Sequence, residues 1–166
     1  VEDPTGCLDE LFADLLEYPT PALPLQAREC SERLRVISME AVALLDGFLH
    51  QVEDLPLERM EELYTSTFDM QPVCYPYVGY HLFGESYKRG AFMARLNEGY
   101  RQYGYSTGNE LPDHVAVVMR FLAQGELGRN ADFGRALLSE GLVPALGKMS
   151  KAFGDKTDNP YAALVS

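Results

Sequence analysis

The sequence predicts an all-α fold, a single-domain helical bundle of about seven helices over residues 1–166. Three observations predict it. Apolar residues recur at i, i+3, i+4, i+7 through nearly the whole chain. No segment sustains the period-2 alternation of a half-buried strand. Pro and Gly interrupt the pattern at helix-length intervals. A chain of 166 residues has the length of one domain and buries about 68–70% of its unfolded surface, so it needs no staples.

The first helix carries Leu8, Leu11, Phe12, Leu15 and Leu16 on one face. Asp3-Pro4 reads as its cap and first position, and Pro19, Pro21 and Pro24 end it in a Pro-rich loop. A second helical region runs from about Leu25 to Val52, with Ala41, Leu44, Leu45, Phe48 and Leu49 as its apolar stripe. After Leu55-Pro56 a third helix aligns Leu57, Met60, Tyr64, Thr67 and Phe68, with Glu58, Glu61 and Glu62 toward solvent. An acidic first turn suits the positive end of a helix dipole. Met70 to Gly84, with Pro72, Pro76 and Gly79, reads as irregular or at most a short helix. A long helix follows over about Ser86–Tyr103. Pro112 reads as opening the next, with Leu111, Val115, Val118, Met119 and Leu122 on one face. Phe133, Leu137 and Leu138 mark another, kinked at Gly141–Pro144 before Leu146, Met149 and Phe153. Pro160 to Val165 closes as a short turn.

Composition limits function. Fourteen basic residues against 25 acidic ones give a net charge of −11. That balance argues against nucleic acid, whose phosphates need a basic footprint, and suits a basic partner. The apolar fraction of 46% is that of an ordinary globular domain. No stretch approaches the roughly 18 apolar residues of a membrane span. Val1-Glu2-Asp3-Pro4 lacks the basic-then-apolar pattern of a signal segment. Cys7, Cys30 and Cys74 form no C-x-x-C, and His50, His81 and His114 form no H-E-x-x-H. The expectation is therefore free thiols, no metal and no cofactor.

Three features bear on chemistry. Gly79-x-x-x-x-Gly84 has the outline of a phosphate loop, but Glu85 stands where that loop needs Lys, and no strand precedes it. Eight of the ten tyrosines lie between Tyr64 and Tyr105, either as core aromatics or as the lining of a peptide groove. Glu110-Leu111-Pro112-Asp113-His114 is the densest polar cluster. It reads either as a capped helix start or as a hook of two carboxylates and a histidine for an Arg or amide of a bound peptide. In the hook, the two carboxylates are expected to raise the His114 pKa.

Five segments, in order along the chain, resemble one family. They are Leu15-Leu16-Glu17-Tyr18-Pro19, Tyr64-Thr65-Ser66-Thr67-Phe68-Asp69, Gly84-Glu85-Ser86-Tyr87-Lys88-Arg89-Gly90, Glu110-Leu111-Pro112-Asp113-His114 and Asn159-Pro160-Tyr161-Ala162-Ala163-Leu164. The chain resembles the nitrate reductase delta subunit, the NarJ-type assembly chaperone, within the wider TorD/DmsD-like group of redox enzyme maturation chaperones. The resemblance implies an all-helical, cytoplasmic, non-catalytic chaperone without a cofactor. The implied partner is the catalytic molybdenum subunit of nitrate reductase or a related enzyme. The chaperone would hold that subunit's N-terminal segment while the molybdenum cofactor is inserted and before the complex reaches the membrane. By position, the implied peptide-binding residues are Tyr64, Phe68, Asp69, Glu110, Asp113 and His114. Two other classes stay open: an all-α adaptor domain that binds another amphipathic helix, and a small hydrolase using Asp113 and His114, for which the sequence nominates no nucleophile.

Overall fold

A computed structural model describes residues 4–125 and 128–166, with side chains from Gly6 onward. Among the described residues nine α-helical segments follow in order: α1 (Pro4–Leu15), α2 (Leu23–Leu34), α3 (Met39–Val52), α4 (Leu57–Phe68), α5 (Val78–Phe83), α6 (Tyr87–Gln102), α7 (Val115–Leu122), α8 (Asp132–Ala136) and α9 (Val143–Phe153). A π-helical segment, Leu137–Leu142, joins α8 to α9, and a 3-10 helix, Pro160–Leu164, lies near the end. Among the described residues the only β pairing outside helices is a single antiparallel bridge between Tyr77 and His114. The all-α bundle read from periodicity is thus the observed fold. The cap expected at Asp3 lies outside the described residues.

Away from the start of α7, the boundaries differ in three places, each for a local reason. The region Leu25–Val52 is two helices, because Ser38 takes an extended conformation and its hydroxyl caps Ala41 N–H at 3.2 Å. The second begins there, and Val36 is left 91% exposed in the turn before it. Pro24 does not terminate a loop but occupies the first turn of α2, where no backbone N–H is needed. The expected kink at Gly141–Pro144 is a widening of the turn. The chain passes from α8 through the π-helical segment into α9 without leaving helical geometry.

Helix α7 organises the packing. Val115, Ala116, Val117, Val118, Met119, Phe121 and Leu122 are all buried, and only Arg120 of this helix reaches solvent. An apolar helix of eight residues is too short to be anything but a core element. Helix α1 packs on one side of α7, with α2 on α1 and α3 on α2. On another side the π-helical segment touches α7 and connects to α5, α8 and α9, with α6 against α5. The 3-10 helix returns to α3. There the Tyr161 ring sits 5.5 Å from Phe48, 5.9 Å from Tyr64 and 5.0 Å from Phe68, between centroids. Asn159 fixes that return: Oδ1 accepts from Tyr161 N–H at 3.0 Å, and Nδ2 donates to Thr67 Oγ1 at 2.9 Å. A second aromatic group surrounds Phe121, whose ring meets Tyr100, Tyr103, Tyr105 and Phe133 at 5.0–5.8 Å.

Phe121 is wholly buried in that group. Phe121→Ala removes the ring and leaves a cavity bounded by four aromatics that cannot collapse without moving α6. The expected loss is about 3–5 kcal/mol of unfolding free energy, read by urea denaturation. A loss below about 1 kcal/mol would contradict a central position for α7.

Candidate functional site

The site is built on the start of α7. A helix whose first turn is buried must satisfy its free N–H groups inside the protein. Val115 N–H reaches Pro76 O at 2.8 Å, and Ala116 N–H donates to Nδ1 of His114 at 3.1 Å. His114, not Asp113, is therefore the capping residue, and α7 begins at Val115, not at Pro112. Because Nδ1 accepts, the imidazole is neutral with its proton on Nε2. Burial pushes the His114 pKa below its usual value; Glu110, Glu17 and Asp113 pull the other way without prevailing. The raised pKa expected from the sequence is thus corrected: desolvation outweighs the nearby carboxylates.

Asp113 takes another role than the one expected of it. Its side chain is 0% exposed and forms a two-pronged ion pair with Arg89 of α6, Nε to Oδ2 at 2.8 Å and Nη2 to Oδ1 at 3.2 Å. The pair holds the Arg89 pKa above its usual value. The guanidinium also lies over the Tyr77 ring, 4.9 Å from its centroid. Gly79 makes room for this, since a Cβ there would stand 2.6 Å from Asp113 Oδ2. The Gly79-x-x-x-x-Gly84 segment is accordingly helical packing surface, not a phosphate loop. Backbone bonds complete the anchor: Val78 N–H donates to Asp113 O at 2.7 Å, and Tyr100 Oη donates to Pro112 O at 2.9 Å.

Five of the six expected binding residues meet at one hollow of about 370 Å³, lined by Glu17, Tyr18, Tyr64, Phe68, Asp69, Pro76, Tyr77, Glu110 and His114. Asp113 is the exception; it lies behind the wall and supports it. The aromatic side is held by contacts among its own members. Tyr64 Oη donates to Leu16 O at 3.3 Å, and its ring meets Tyr18 edge-on at 5.6 Å and Phe68 at 5.1 Å. Tyr18 is still 55% exposed. The Tyr77 ring stands edge-on to His114 at 5.5 Å. Burial raises the pKa of both Tyr64 and Tyr77, so their hydroxyls stay protonated donors.

The electrostatics of the hollow are one-sided. Glu17 is bound by Arg120, which also holds Asp14 at 2.7 Å. Asp69 and Glu110 have no cation among the described residues; each accepts only from the next backbone N–H, at 2.8 and 2.9 Å. A neighbouring depression shares Tyr18 and adds Glu58, Glu61, Glu62 and Met70. Met70 and Gln71 adopt left-handed φ values of 33° and 68°, a sparsely populated pair for residues other than glycine. Met70 is 80% exposed there. The arrangement offers aromatic walls, an imidazole N–H and two unpaired carboxylates. Among the described residues it holds no nucleophile positioned against His114, and no three His, Cys, Asp or Glu side chains are grouped to hold a metal ion.

Glu17, Tyr18 and Tyr77 are functional candidates that the sequence does not single out. The signal for the first two is present in Leu15-Leu16-Glu17-Tyr18-Pro19. Tyr77 is hidden among eight clustered tyrosines. The five segments that carry the resemblance also interlock. Arg89 of the third meets Asp113 of the fourth, Asn159 of the fifth meets Thr67 of the second, and Leu16 of the first meets Tyr64 of the second.

The family described as nitrate reductase delta subunit matches residues 37–164. The chain is 32% identical over 119 residues to the nitrate reductase molybdenum cofactor assembly chaperone NarJ of Escherichia coli K12, covering 69% of this chain and 50% of that protein. It is 30% identical over 109 residues to the probable NarJ chaperone of Bacillus subtilis, covering 65% and 56%. The chain thus spans about half the length of the curated relatives it matches. A solved structure described as a putative redox enzyme maturation protein from Archaeoglobus fulgidus shares the fold, with a TM-score of 0.63 at 22% identity over 96% of this chain and 88% of that one.

Two outcomes follow from the geometry. Asp113→Ala removes a fully buried carboxylate and leaves the partly exposed Arg89 guanidinium without its partner, so the expected cost is about 3 kcal/mol, near the low end for breaking a buried pair and above the cost of losing a simple cap. His114→Asn keeps a capping acceptor but removes the titration. A histidine whose folded pKa lies below the unfolded value of about 6.5 gives its full stability above that value and loses it as pH falls toward the folded pKa. His81, whose pKa burial also lowers, adds to the same trend. Thermal melts should therefore show a smaller loss between about pH 7 and pH 5 in the His114→Asn variant than in the parent. Equal losses would show that His114 does not need to be neutral.

Proposed function

The chain belongs to the nitrate reductase delta subunit family, and from that premise we propose that it is a molybdoenzyme assembly chaperone that binds an N-terminal segment of a nitrate reductase catalytic subunit. The hollow receives that segment, and the chaperone assists cofactor insertion as a binding protein and not as an enzyme. It works in the cytoplasm, before the client reaches the membrane. Among the described residues no helix is long and apolar enough to cross a membrane. The likeness to chaperones of nitrate reductase molybdenum cofactor assembly supports the client class.

One observation carries the reading: aromatic side chains from three separate stretches of chain converge with two carboxylates that no cation among the described residues neutralises. Tyr18, Tyr64 and Tyr77 give contact area at little cost in side-chain entropy. Asp69 and Glu110 accept from an Arg or Lys. An amphipathic helix laid in such a groove places apolar anchors against the aromatics and its charge at the rim. The net charge of −11 raises the encounter rate, while apolar burial sets the lifetime of the complex. A hydrolase is disfavoured, because the Nδ1 lone pair of His114 is already committed to capping α7.

Calorimetric titration with the client's N-terminal peptide tests the proposal. Asp69→Asn combined with Glu110→Gln alters only exposed side chains, so the melting temperature should stay put while affinity falls by about tenfold, or 1.4 kcal/mol. Raising the salt should weaken the parent complex without abolishing it, since the aromatic contacts are not screened. Unchanged affinity in the double variant would remove the carboxylates from the site.

A further inference from the structure

The acidity of this protein is unevenly distributed along the chain. Residues 1–70 hold 16 acidic and 4 basic side chains, whereas residues 71–166 hold 9 and 10. The hollow described above draws most of its wall from the acidic part. A second, apolar pocket lies wholly within the other part, between α5, α6, α8 and the π-helical segment. It encloses about 230 Å³ and is lined mainly by Leu82, Phe83, Phe92, Leu96, Phe133 and Leu137.

We propose that this pocket is a second docking site, separate from the hollow, for an acidic segment of a partner protein that inserts a bulky apolar side chain. Lys88, Phe92 and Arg95 recur at i, i+4, i+7 on α6, so two cations flank the aromatic that lines the pocket. Neither Lys88 nor Arg95 has an ionic or hydrogen-bonded side-chain partner among the described residues, whereas Arg89, on another face of the same helix, is committed to Asp113. Glu140 stands on the π-helical wall with Arg95 at the pocket. It sets the orientation: the carboxylates of the incoming segment lie along α6 and away from the π-helical side.

Small residues shape the pocket wall. A Cβ on Gly99 would stand 2.3 Å from Phe133 Cζ, so glycine is what lets that ring lie against α6. A Cβ on Gly141 would stand 3.2 Å from Leu137 Cδ1, inside the pocket wall. Leu137, Glu140 and Gly141 all belong to the π-helical segment, a geometry less favourable than α and one that recurs at functional sites. Phe83 at the mouth remains exposed, its ring 5.5 Å from Phe92.

The test uses two short peptides with blocked ends: one alternates Phe and Leu with Asp and Glu, and the other carries Lys at every acidic position. Methyl NMR of the full chain follows Leu82, Leu96 and Leu137. The acidic peptide should shift these methyls saturably despite the overall charge of −11, and its Lys counterpart should bind there about tenfold more weakly or not at all. Arg95→Glu, on an exposed side chain, should cut binding of the acidic peptide by about tenfold. It should leave the melting temperature unchanged. The proposal is overturned if the acidic peptide leaves the three methyls unmoved, or if Arg95→Glu has no effect. It is also overturned if the methyls shift with protein concentration alone, which would make a second copy of the chain the occupant. None of these outcomes depends on whether the hollow binds the client.

Discussion

The first turn of α7 is surrounded by protein, and its N–H groups must find acceptors there or cost roughly 1–3 kcal/mol each. That constraint determines the local architecture. The Pro76 carbonyl and the His114 ring supply the acceptors, so the segments 76–78 and 113–115 have to run side by side. The same two segments form one wall of the hollow. Asp113 then secures the wall from behind by gripping Arg89, and Gly79 leaves the space for that grip. The residues that make α7 a stable core element and the residues that shape the surface are therefore neighbours in sequence and share one network.

This explains why the densest polar cluster of the chain divides its work. Glu110 is exposed at the rim, His114 faces both the helix and the hollow, and Asp113 is interior. The partition follows from burial: a carboxylate that is 0% exposed needs a cation within reach, and α6 provides one, while the exposed Glu110 is free to meet a partner's charge. Arg120 of α7 plays the matching part toward α1, holding Asp14 and Glu17 where two acidic groups close together would repel. Its pKa is held above the usual value chiefly by the Glu17 hydrogen bond.

Much of the fold is legible in periodicity, because α1, α3 and α4 present apolar stripes whose period is unambiguous. The break at Arg35–Ser38 is not, because apolar Val36 and Ile37 continue the pattern across a turn that leaves them exposed. The π-helical segment reads as a kink, since Gly141 and Pro144 signal an interruption without saying which kind. At the site, sequence order brings out Tyr64, Phe68, Asp69, Glu110 and His114 but does not separate Asp113 from them. That distinction rests on Arg89, 24 residues away in sequence, and on the absence of a side chain at Gly79. The sign of the His114 shift is unreadable for the same reason. Proximity of carboxylates is written in the motif, whereas the depth of burial is a property of the packed α7.

In the proposed complex a client segment occupies the hollow between α4, the Pro76–Tyr77 turn and the start of α7. Intermolecular NOEs between an isotope-labelled chain and an unlabelled N-terminal peptide of the catalytic subunit test it most directly. Contacts are expected from the apolar face of the peptide to the Tyr18, Tyr64 and Tyr77 rings, with a peptide Arg or Lys near Asp69 and Glu110. Contacts confined to other surfaces, with these rings untouched, would contradict it.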